Sequence, residues 1–337
     1  MRLVMAALAA VISAACSASA TGEERSAGRA TKITLAVPAP SELFNLPIVL
    51  ADRLDFFADE GLDVKLVDVG AGTNAVQAVL AGEAQAASGF AGHTITMAAK
   101  GQAVRSFVTT VNSPGMALAI SPATGRPIST VADLKGAAVG VSAPGSGTHH
   151  LLNYVLEQHG LAPDDVSVTG IGLAATAVAA MEHGKVNAAV MLEPALSQLQ
   201  KRTRGIRFLV DTRTPEGVTE VFGIKDYPAM ALYARSTWLA ENKETARGLA
   251  TAVTRALQWA RQHEAAEIAE RMPAEYIGAD RALYEATVAT ARYTFSPDGR
   301  MHPEGAEALR KMLAVSVPEV KTADINLADT YTNAFLL

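Results

Sequence analysis

The chain has 337 residues, 49% of them hydrophobic and 19% charged, and its formal net charge is −5. That length allows two domains of ordinary size, each with a buried core. The acidic balance and the absence of any run of Lys or Arg argue against a nucleic acid as partner. Beyond residue 20, no stretch of the sequence approaches the length of a membrane-spanning helix.

The amino terminus has the composition of a secretory signal peptide over residues 1–20. Arg2 precedes an apolar run at residues 3–12, and small residues follow. A transmembrane anchor would need a longer apolar stretch than this one. The pattern therefore predicts that the protein is exported to the periplasm.

Two processing sites compete at the end of this segment. Residues 18–20 fit the A-x-A pattern of ordinary signal peptidase, whereas Cys16 ends a stretch that resembles a lipobox and would become a lipid anchor. Ser13 stands where a lipobox usually has Leu, which favours the A-x-A site.

Cys16 is the only cysteine, so no internal disulfide is expected. Residues 21–30 are rich in Gly, Ser, Ala and charges and are expected to form a flexible leader.

Strands and helices alternate over the next part of the chain, which predicts a parallel-type sheet covered by helices. Apolar residues at helical spacing indicate the helices, and Gly61 and Gly82 are expected to end two of them. The strands are expected at residues 33–37, 62–69, 84–88 and 104–111.

Three segments follow the carboxyl ends of these strands and contain polar or aromatic residues. In sheets of this kind the ligand binds outside the carboxyl ends of the strands. Each segment could also serve only to make a turn. The segments are residues 41–45, 73–74 and 88–91.

A glycine-rich turn follows a strand in the second half of the pattern. Val139 and Val141 belong to the strand, and Ser146 stands where the next helix is expected to begin. Such a turn directs free backbone N–H groups and the positive end of the helix dipole at one point, and the hydroxyls of Ser146 and Thr148 add donors. The turn therefore predicts a seat for a small anion or a carboxylate-like group. Alternatively, its Gly and Ser only make the bend and cap the helix.

Two lobes are predicted from the rest of the chain. Further strands are expected at residues 166–169, 188–192 and 208–210, followed by a purely helical tail that must cover part of a sheet. Two short apolar strands, at residues 116–121 and 229–234, are expected to cross between the lobes and to allow hinge bending. The predicted lobe one is residues 31–115 plus 227–337, and the predicted lobe two is residues 116–226.

Several phrases of the sequence are similar to those of a known family. They lie at residues 51–64, 80–87, 133–141, 145–148 and 184–194 and extend over most of the chain. In this order and spacing, the chain resembles the periplasmic substrate-binding proteins of ABC importers, in the nitrate, sulfonate, taurine and thiamine-precursor group. The resemblance implies an α/β fold of two lobes, type II-like, with the helical carboxyl-terminal portion packed on lobe one. It also implies a monomer that closes on one solute and presents it to a permease in the inner membrane.

The resemblance also implies where the solute is held. In the family, contacts come from the loop after the first strand, the turn after the third strand and the Gly-Ser-Gly-Thr turn. Carried over to this chain, the implied ligand-binding residues are Ser41, Phe44, Asn45, Ser88, Gly89, Ser146, Gly147 and Thr148. Thr73 and Phe90 lie in the same strand-end segments, and His149 follows the turn. Glu193 begins a helix at the cleft, where it could instead only complement the helix dipole.

One departure from the family leaves the solute open. Sulfonate binders of the family often use an Arg or Lys near the cleft, and the expected strand-end turns of this chain contain neither. The solute could be an anion held by uncharged donors. It could equally be a weakly charged aromatic molecule that stacks on Phe44 and Phe90.

Other functional classes find less support in the sequence. The related thiamine-pyrimidine synthases have a cysteine-rich iron-binding segment that this chain lacks, so an enzyme is not expected. His149 and His150 are adjacent rather than four residues apart, so no metal site and no cofactor are expected. A ligand sensor that uses the same two lobes remains an alternative to import.

Overall fold

The computed structural model describes residues 30–336 and contains two five-stranded sheets. The predicted signal peptide, both processing sites and residues 21–29 of the leader lie outside the described residues. The strands are β1 (Thr31–Val37), β2 (Leu62–Asp68), β3 (Ala86–Phe90), β4 (Val104–Val111), β5 (Met116–Ile120), β6 (Ala138–Val141), β7 (Ser167–Gly170), β8 (Ala188–Leu192), β9 (Phe208–Asp211) and β10 (Met230–Arg235).

Helices cover both sheets. They are α1 (Leu46–Arg53), α2 (Phe56–Asp59), α3 (Gly72–Ala81), α4 (His93–Ala99), α5 (Gly147–Gln158), α6 (Ala174–Glu182), α7 (Ala195–Arg202), α8 (Pro215–Phe222), α9 (Ser236–Glu241), α10 (Lys243–Gln262), α11 (Ala265–Arg271), α12 (Ala274–Ile277), α13 (Arg281–Ala291), α14 (Pro303–Ser316) and α15 (Pro318–Thr322). Among residues 30–336, no helix combines the length and the apolar composition needed to cross a bilayer.

The first sheet has the order β2-β1-β3-β10-β4, and the second has the order β7-β6-β8-β5-β9. In each sheet one strand runs antiparallel to its neighbours, namely β10 in the first and β5 in the second. We call the first sheet with α1–α4 and α9–α15 lobe one, and the second sheet with α5–α7 lobe two. Helix α8 connects them, because Val218 is buried in the core of lobe one and Val221 in that of lobe two.

The two strands that we predicted to cross between the lobes each pair within a single sheet. β5 pairs with β8 and β9, and β10 pairs with β3 and β4. The reason is that a buried strand must satisfy its backbone groups on both sides, which a neighbouring strand of the same sheet does. The connections between the sheets are instead residues 112–115 and residues 212–229. The predicted division of the chain at residues 116 and 227 stays a prediction.

The predicted two-lobed α/β fold with a helical tail on lobe one is confirmed. Leu249, Val253 and Leu257 of α10 are buried in the core of lobe one, where α10 packs on α1 and α2. This packing buries the apolar face of the helix, as its sequence period requires. Helix α14 has a second role, because it also packs against α5 of lobe two.

The helix after the first strand is divided in two. The sequence predicts one helix that ends at Gly61, but α1 ends at Arg53 and α2 begins at Phe56. Asp55 between them has a φ of 56°, in the left-handed region that Asp tolerates better than most residues. The change of direction allows Phe57 to enter the core of lobe one.

Candidate functional site

The glycine-rich turn of lobe two presents free backbone donors at the start of α5. Ser146 caps the helix, and its side chain accepts a hydrogen bond from the amide of His149. The first amides of a helix have no partner inside it. In the part of the chain that the structure describes, the amides of Gly147 and Thr148 donate to no protein acceptor. The turn therefore has the donors that the sequence predicted.

Three hydroxyls hold the turn in shape. The Oγ atoms of Ser142, Ser146 and Thr148 lie 2.8–3.0 Å from one another. Thr148 Oγ1 also accepts from the amide of Ser142, at 2.9 Å. Because these hydroxyls already bond to one another, they position the free amides more than they add independent donors.

A small cavity of about 50 Å³ lies between this turn and lobe one, and we call it the turn cavity. Phe90 of lobe one closes on the turn, since a Cβ atom added to Gly147 would lie 3.2 Å from the Phe90 ring. A glycine at this position lets the two lobes approach this closely, since a larger residue would require the Phe90 ring to shift. The cavity is lined by Pro38, Phe44, Gly72, Phe90, His93, Met116, Ser142, Ser146, Gly147, Thr148, Leu173, Leu192 and Met230.

His93, at the start of α4, is a polar residue of the turn cavity that the sequence analysis did not assign to the site. Its side chain is buried, and neither ring nitrogen has a hydrogen-bond partner among the described residues. Burial lowers the pKa of His93 to about 4, although the Gly145 carbonyl opposes this effect. A neutral imidazole with two free nitrogens can donate to a ligand and accept from it. Its position one turn after the carboxyl end of β3 was the available signal.

The other two histidines of this region are used within the protein. His149 Nδ1 accepts a hydrogen bond of 2.9 Å from the amide of Gly145, which fixes the turn. His150 Nδ1 lies 3.1 Å from Ser316 Oγ at the end of α14. Burial, together with the neighbouring His93 and His149, lowers the pKa of His150 to about 3. The ring of His149 therefore supports the turn, the ring of His150 contacts α14, and neither lines the turn cavity.

Several predicted ligand-binding residues lie behind the cavity. Asn45 donates to the Pro38 carbonyl at 2.7 Å and accepts from Ser88 Oγ at 2.7 Å, so both polar groups are satisfied within lobe one. Gly89 packs on Tyr233, whose hydroxyl would lie 2.5 Å from an added Cβ atom. The structure thus brings Phe44, Phe90, Ser146, Gly147 and Thr148 together, but does not place Asn45, Ser88 or Gly89 in the lining.

The remaining predicted residues lie near the edges of the cleft. Thr73 of α3 faces Gly145 of the turn, with its methyl group 3.7 Å from where a Cβ atom would stand. Ser41 is half-buried in the loop after β1. Neither residue lines the turn cavity.

A second and larger cavity of about 340 Å³ lies beside the connections between the lobes, and we call it the hinge cavity. Phe44 and Leu192 line both cavities. The hinge cavity is lined by Leu43, Phe44, Val111, Ser113, Pro114, Gly115, Leu192, Glu193, Ser197, Asp211, Arg213, Thr214, Leu283, Ala286, Thr287, Thr290, Ala291, Thr294 and Phe295.

Glu193 belongs to a cluster of three charges at the polar end of the hinge cavity. Arg213 donates to Glu193 at 2.8 Å and to Asp211 at 2.6 and 2.8 Å. Burial opposes the charge of Arg213, but the hydrogen bonds that it donates to these two carboxylates raise its pKa overall. Glu193 also accepts from the amide of Ser197 at the start of α7. This bond is the helix-dipole role that the sequence analysis gave as the alternative for Glu193.

A buried carboxyl group lies between the lobes. Glu42, in the loop after β1, is 1% exposed, and its two carboxyl oxygens have no hydrogen-bond partner among the described residues. Burial raises the pKa of Glu42 to about 8; the backbone of Ala174 at the start of α6 lowers it, and Glu193 raises it. The group is therefore held mainly in its protonated form at neutral pH.

The charge balance of the two cavities limits what they can bind. Among the described residues, Arg213 is the only Lys or Arg that lines either cavity, and two carboxylates neutralise it. Within residues 30–336, no three His, Cys, Asp or Glu side chains are grouped as metal ligands. The candidate site therefore offers uncharged donors, aromatic rings and apolar walls.

The chain has two sheets joined by two connections, and polar residues at the amino-terminal ends of helices face the cleft between the sheets. This arrangement defines the fold of the periplasmic binding proteins. The fold is shared with the alkanesulfonate-binding protein SsuA of Xanthomonas axonopodis pv. citri, solved with bound MOPS, at a TM-score of 0.71 and 16% identity, over 90% of this chain and 99% of that one. It is also shared with the nitrate-binding protein NrtA of Synechocystis PCC 6803, at a TM-score of 0.65 and 16% identity, over 90% of this chain and 87% of that one.

The family is defined by sequence as well as by fold. The family described as NMT1/THI5 like matches residues 45–266, and the chain belongs to this family. A solved protein of Bordetella bronchiseptica RB50 is 37% identical, with a TM-score of 0.84, over 90% of this chain and 95% of that one. No curated protein sequence matches the chain at a significant level.

Proposed function

We propose that the protein is the solute-binding component of an ABC import system, which captures a small organic solute between its lobes and delivers it to a permease. The turn cavity supports this proposal most directly. The free amides of Gly147 and Thr148 belong to lobe two, whereas His93 and Phe90 belong to lobe one. A solute atom in this cavity would contact both lobes, so its binding would favour the closed arrangement.

The roles of the individual residues follow from their positions. Gly147 and Thr148 donate backbone hydrogen bonds to the solute, with Ser146 shaping the turn. Phe44 and Phe90 provide aromatic contacts, and His93 supplies a donor and an acceptor. The other predicted residues support the loops that contact the solute; they are Ser41, Asn45, Thr73, Ser88, Gly89 and His149. Glu193 borders the neighbouring hinge cavity.

The surroundings of the protein form part of the proposal. Export to the periplasm agrees with the amino-terminal pattern, either as a free monomer or anchored through Cys16. Two of the similar solved structures are an alkanesulfonate-binding protein and a nitrate-binding protein. They support an anionic solute for this chain and a binding role rather than catalysis, whereas an aromatic solute is supported by Phe44 and Phe90 in the turn cavity.

The experiment uses two glycines that differ in what an added side chain would meet. Gly147→Leu places a side chain against the Phe90 ring, whereas Gly125→Leu extends into open space. Solutes that co-purify with each protein are released by denaturation and identified by mass spectrometry. We expect the same solute from the wild type and Gly125→Leu, and its loss from Gly147→Leu.

Uptake completes the test of the proposal. The identified solute is offered to vesicles that contain a candidate ABC permease and its ATPase from the same genome, together with the wild type or one of the two variants. Uptake is expected with the wild type and Gly125→Leu only. A purified protein that retains no solute and instead converts a substrate would overturn the proposal.

A further inference from the structure

We propose that the hinge cavity is a second subsite, which holds an uncharged apolar body of the same solute whose acceptor group lies in the turn cavity. This inference rests on the proposed function and specifies the class of solute. It assigns the solute a head with an acceptor oxygen and a body that is aromatic or branched.

The volumes of the two cavities support a division of the solute. The turn cavity is about 50 Å³, whereas one water molecule occupies about 30 Å³ in the liquid. It accommodates only a small group, such as the oxygen atoms of a head. The hinge cavity, at about 340 Å³, has the room for an organic body.

The wall between the cavities is made by both lobes. Phe44 belongs to the loop after β1 of lobe one, and Leu192 ends β8 of lobe two. Both side chains line both cavities. Opening of the lobes moves Phe44 and Leu192 apart and joins the two spaces. A solute can therefore enter as one piece, with Phe44 and Leu192 closing on its middle.

The lining of the hinge cavity selects an apolar body. Val111 and Phe295 form part of its floor and are buried, and Leu283 of α13 adds a further apolar wall. Hydroxyl and charged groups also line the cavity, but apolar atoms form most of its wall, so a ligand there binds mainly by apolar burial. The subsite therefore favours aromatic or branched aliphatic groups.

The polar end of the hinge cavity disfavours a second anionic group. Glu193 and Asp211 together outweigh the single positive charge of Arg213, whose donors they already occupy. An anionic substituent at this end would meet net negative charge without a free donor. A dianion is disfavoured for this reason, and a bare inorganic anion gains nothing from the apolar subsite.

Helix α13 offers matched positions for a test. Ala286 and Thr290 are exposed and line the hinge cavity, whereas Ala282 is exposed on the same helix and does not line it. Ala286→Phe and Thr290→Phe fill the cavity from its mouth without replacing a core residue. Ala282→Phe adds the same ring elsewhere on α13 and serves as the control.

The probes separate the head from the body. Benzoate, benzenesulfonate and benzamide share one apolar body with three different acceptor heads, whereas acetate, methanesulfonate and acetamide have the heads alone. Calorimetry is expected to show that at least one aromatic probe binds the wild type more tightly than its short counterpart. Ala286→Phe and Thr290→Phe should each lower the affinity for that aromatic probe by about tenfold, which corresponds to ~1.4 kcal/mol of binding free energy. Ala282→Phe should bind it as the wild type does.

Other results would overturn the inference in identifiable ways. Equal binding of short and aromatic probes, or unchanged binding in both cavity-filling variants, contradicts a second apolar subsite. If no probe binds but a solute co-purifies with the protein and is taken up, the proposed function stands and this inference fails. If no probe binds and no solute co-purifies, the proposed function fails as well.

Discussion

At the scale of single residues, the buried carboxyl group of Glu42 links the interior between the lobes to pH. Its folded-state pKa of about 8 lies above the ordinary value of 4.5, because burial disfavours the charged form. The folded protein therefore binds this proton more tightly than the unfolded chain does. The stability that depends on the neutral carboxyl group is fully present below pH 4.5 and is lost as the pH rises through about 8.

Glu42→Gln is expected to remove this pH dependence. Relative to the variant, the wild type should lose free energy of unfolding between pH 4.5 and about 8, by a few kcal/mol at most. Denaturant unfolding of both proteins across this range measures the difference. His93 and His150 also make the free energy of unfolding depend on pH, but they do so equally in both proteins, so their effect cancels in the difference. Glu83→Gln, at an exposed glutamate, is the control, and parallel curves for the wild type and Glu42→Gln would contradict the expectation.

Individual residues also show how far the sequence could define the site. The turn at residues 145–148 could be predicted because its signals, glycines and a capping serine, are local. Asn45 and Ser88 could not be excluded from the site, since their mutual hydrogen bond joins positions 43 residues apart. For His93 the sequence offered only its place just after β3, because burial without a hydrogen-bond partner is a property of the folded protein.

At the scale of elements, the ion pair between Lys201 and Asp280 joins the two lobes away from the cavities. Lys201 belongs to the last turn of α7 in lobe two, and Asp280 caps α13 in lobe one by accepting from the amide of Leu283. An opening that separates α7 from α13 breaks this ion pair. Since both side chains are partly exposed, the pair contributes to closure weakly and in a salt-dependent way.

Lys201→Ala is expected to weaken binding of the co-purifying solute by up to about fivefold at low salt, as an exposed ion pair of ~0.2–1 kcal/mol allows. The effect should diminish at high salt. Calorimetry at two salt concentrations measures both. The adjacent Arg202→Ala is the control, because Arg202 pairs with Glu182 inside lobe two. An equal loss of affinity in Arg202→Ala, or no loss in Lys201→Ala at low salt, would count against the role of this pair.

The elements themselves were largely predictable, whereas their pairing was not. Alternating strands and helices and the helical tail follow from local periodicity, as α10 shows. The sequence could not reveal that β5 and β10 each complete one sheet, because strand pairing depends on partners far along the chain. The break at Asp55 was equally hidden, since Gly61 was the stronger local stop signal.

At the scale of the whole molecule, the lobes contact each other around the turn cavity and are joined by two connections of the chain. The close approach of Phe90 to Gly147, and of Thr73 to Gly145, describes a closed arrangement. The two connections at residues 112–115 and 212–229 allow hinge motion without disrupting either sheet. Closure over a solute is therefore the central claim of the proposed function.

The distance between the lobes in the presence and absence of solute tests this claim most directly. Spin labels are attached to Gln77→Cys on α3 and Ala175→Cys on α6, both exposed, in a Cys16→Ser background. Pulsed electron resonance is recorded on protein stripped of solute by unfolding and refolding, and again after the co-purified solute is returned. Closure over the solute predicts a shorter distance with the solute than without it, and coincident distance distributions would contradict closure.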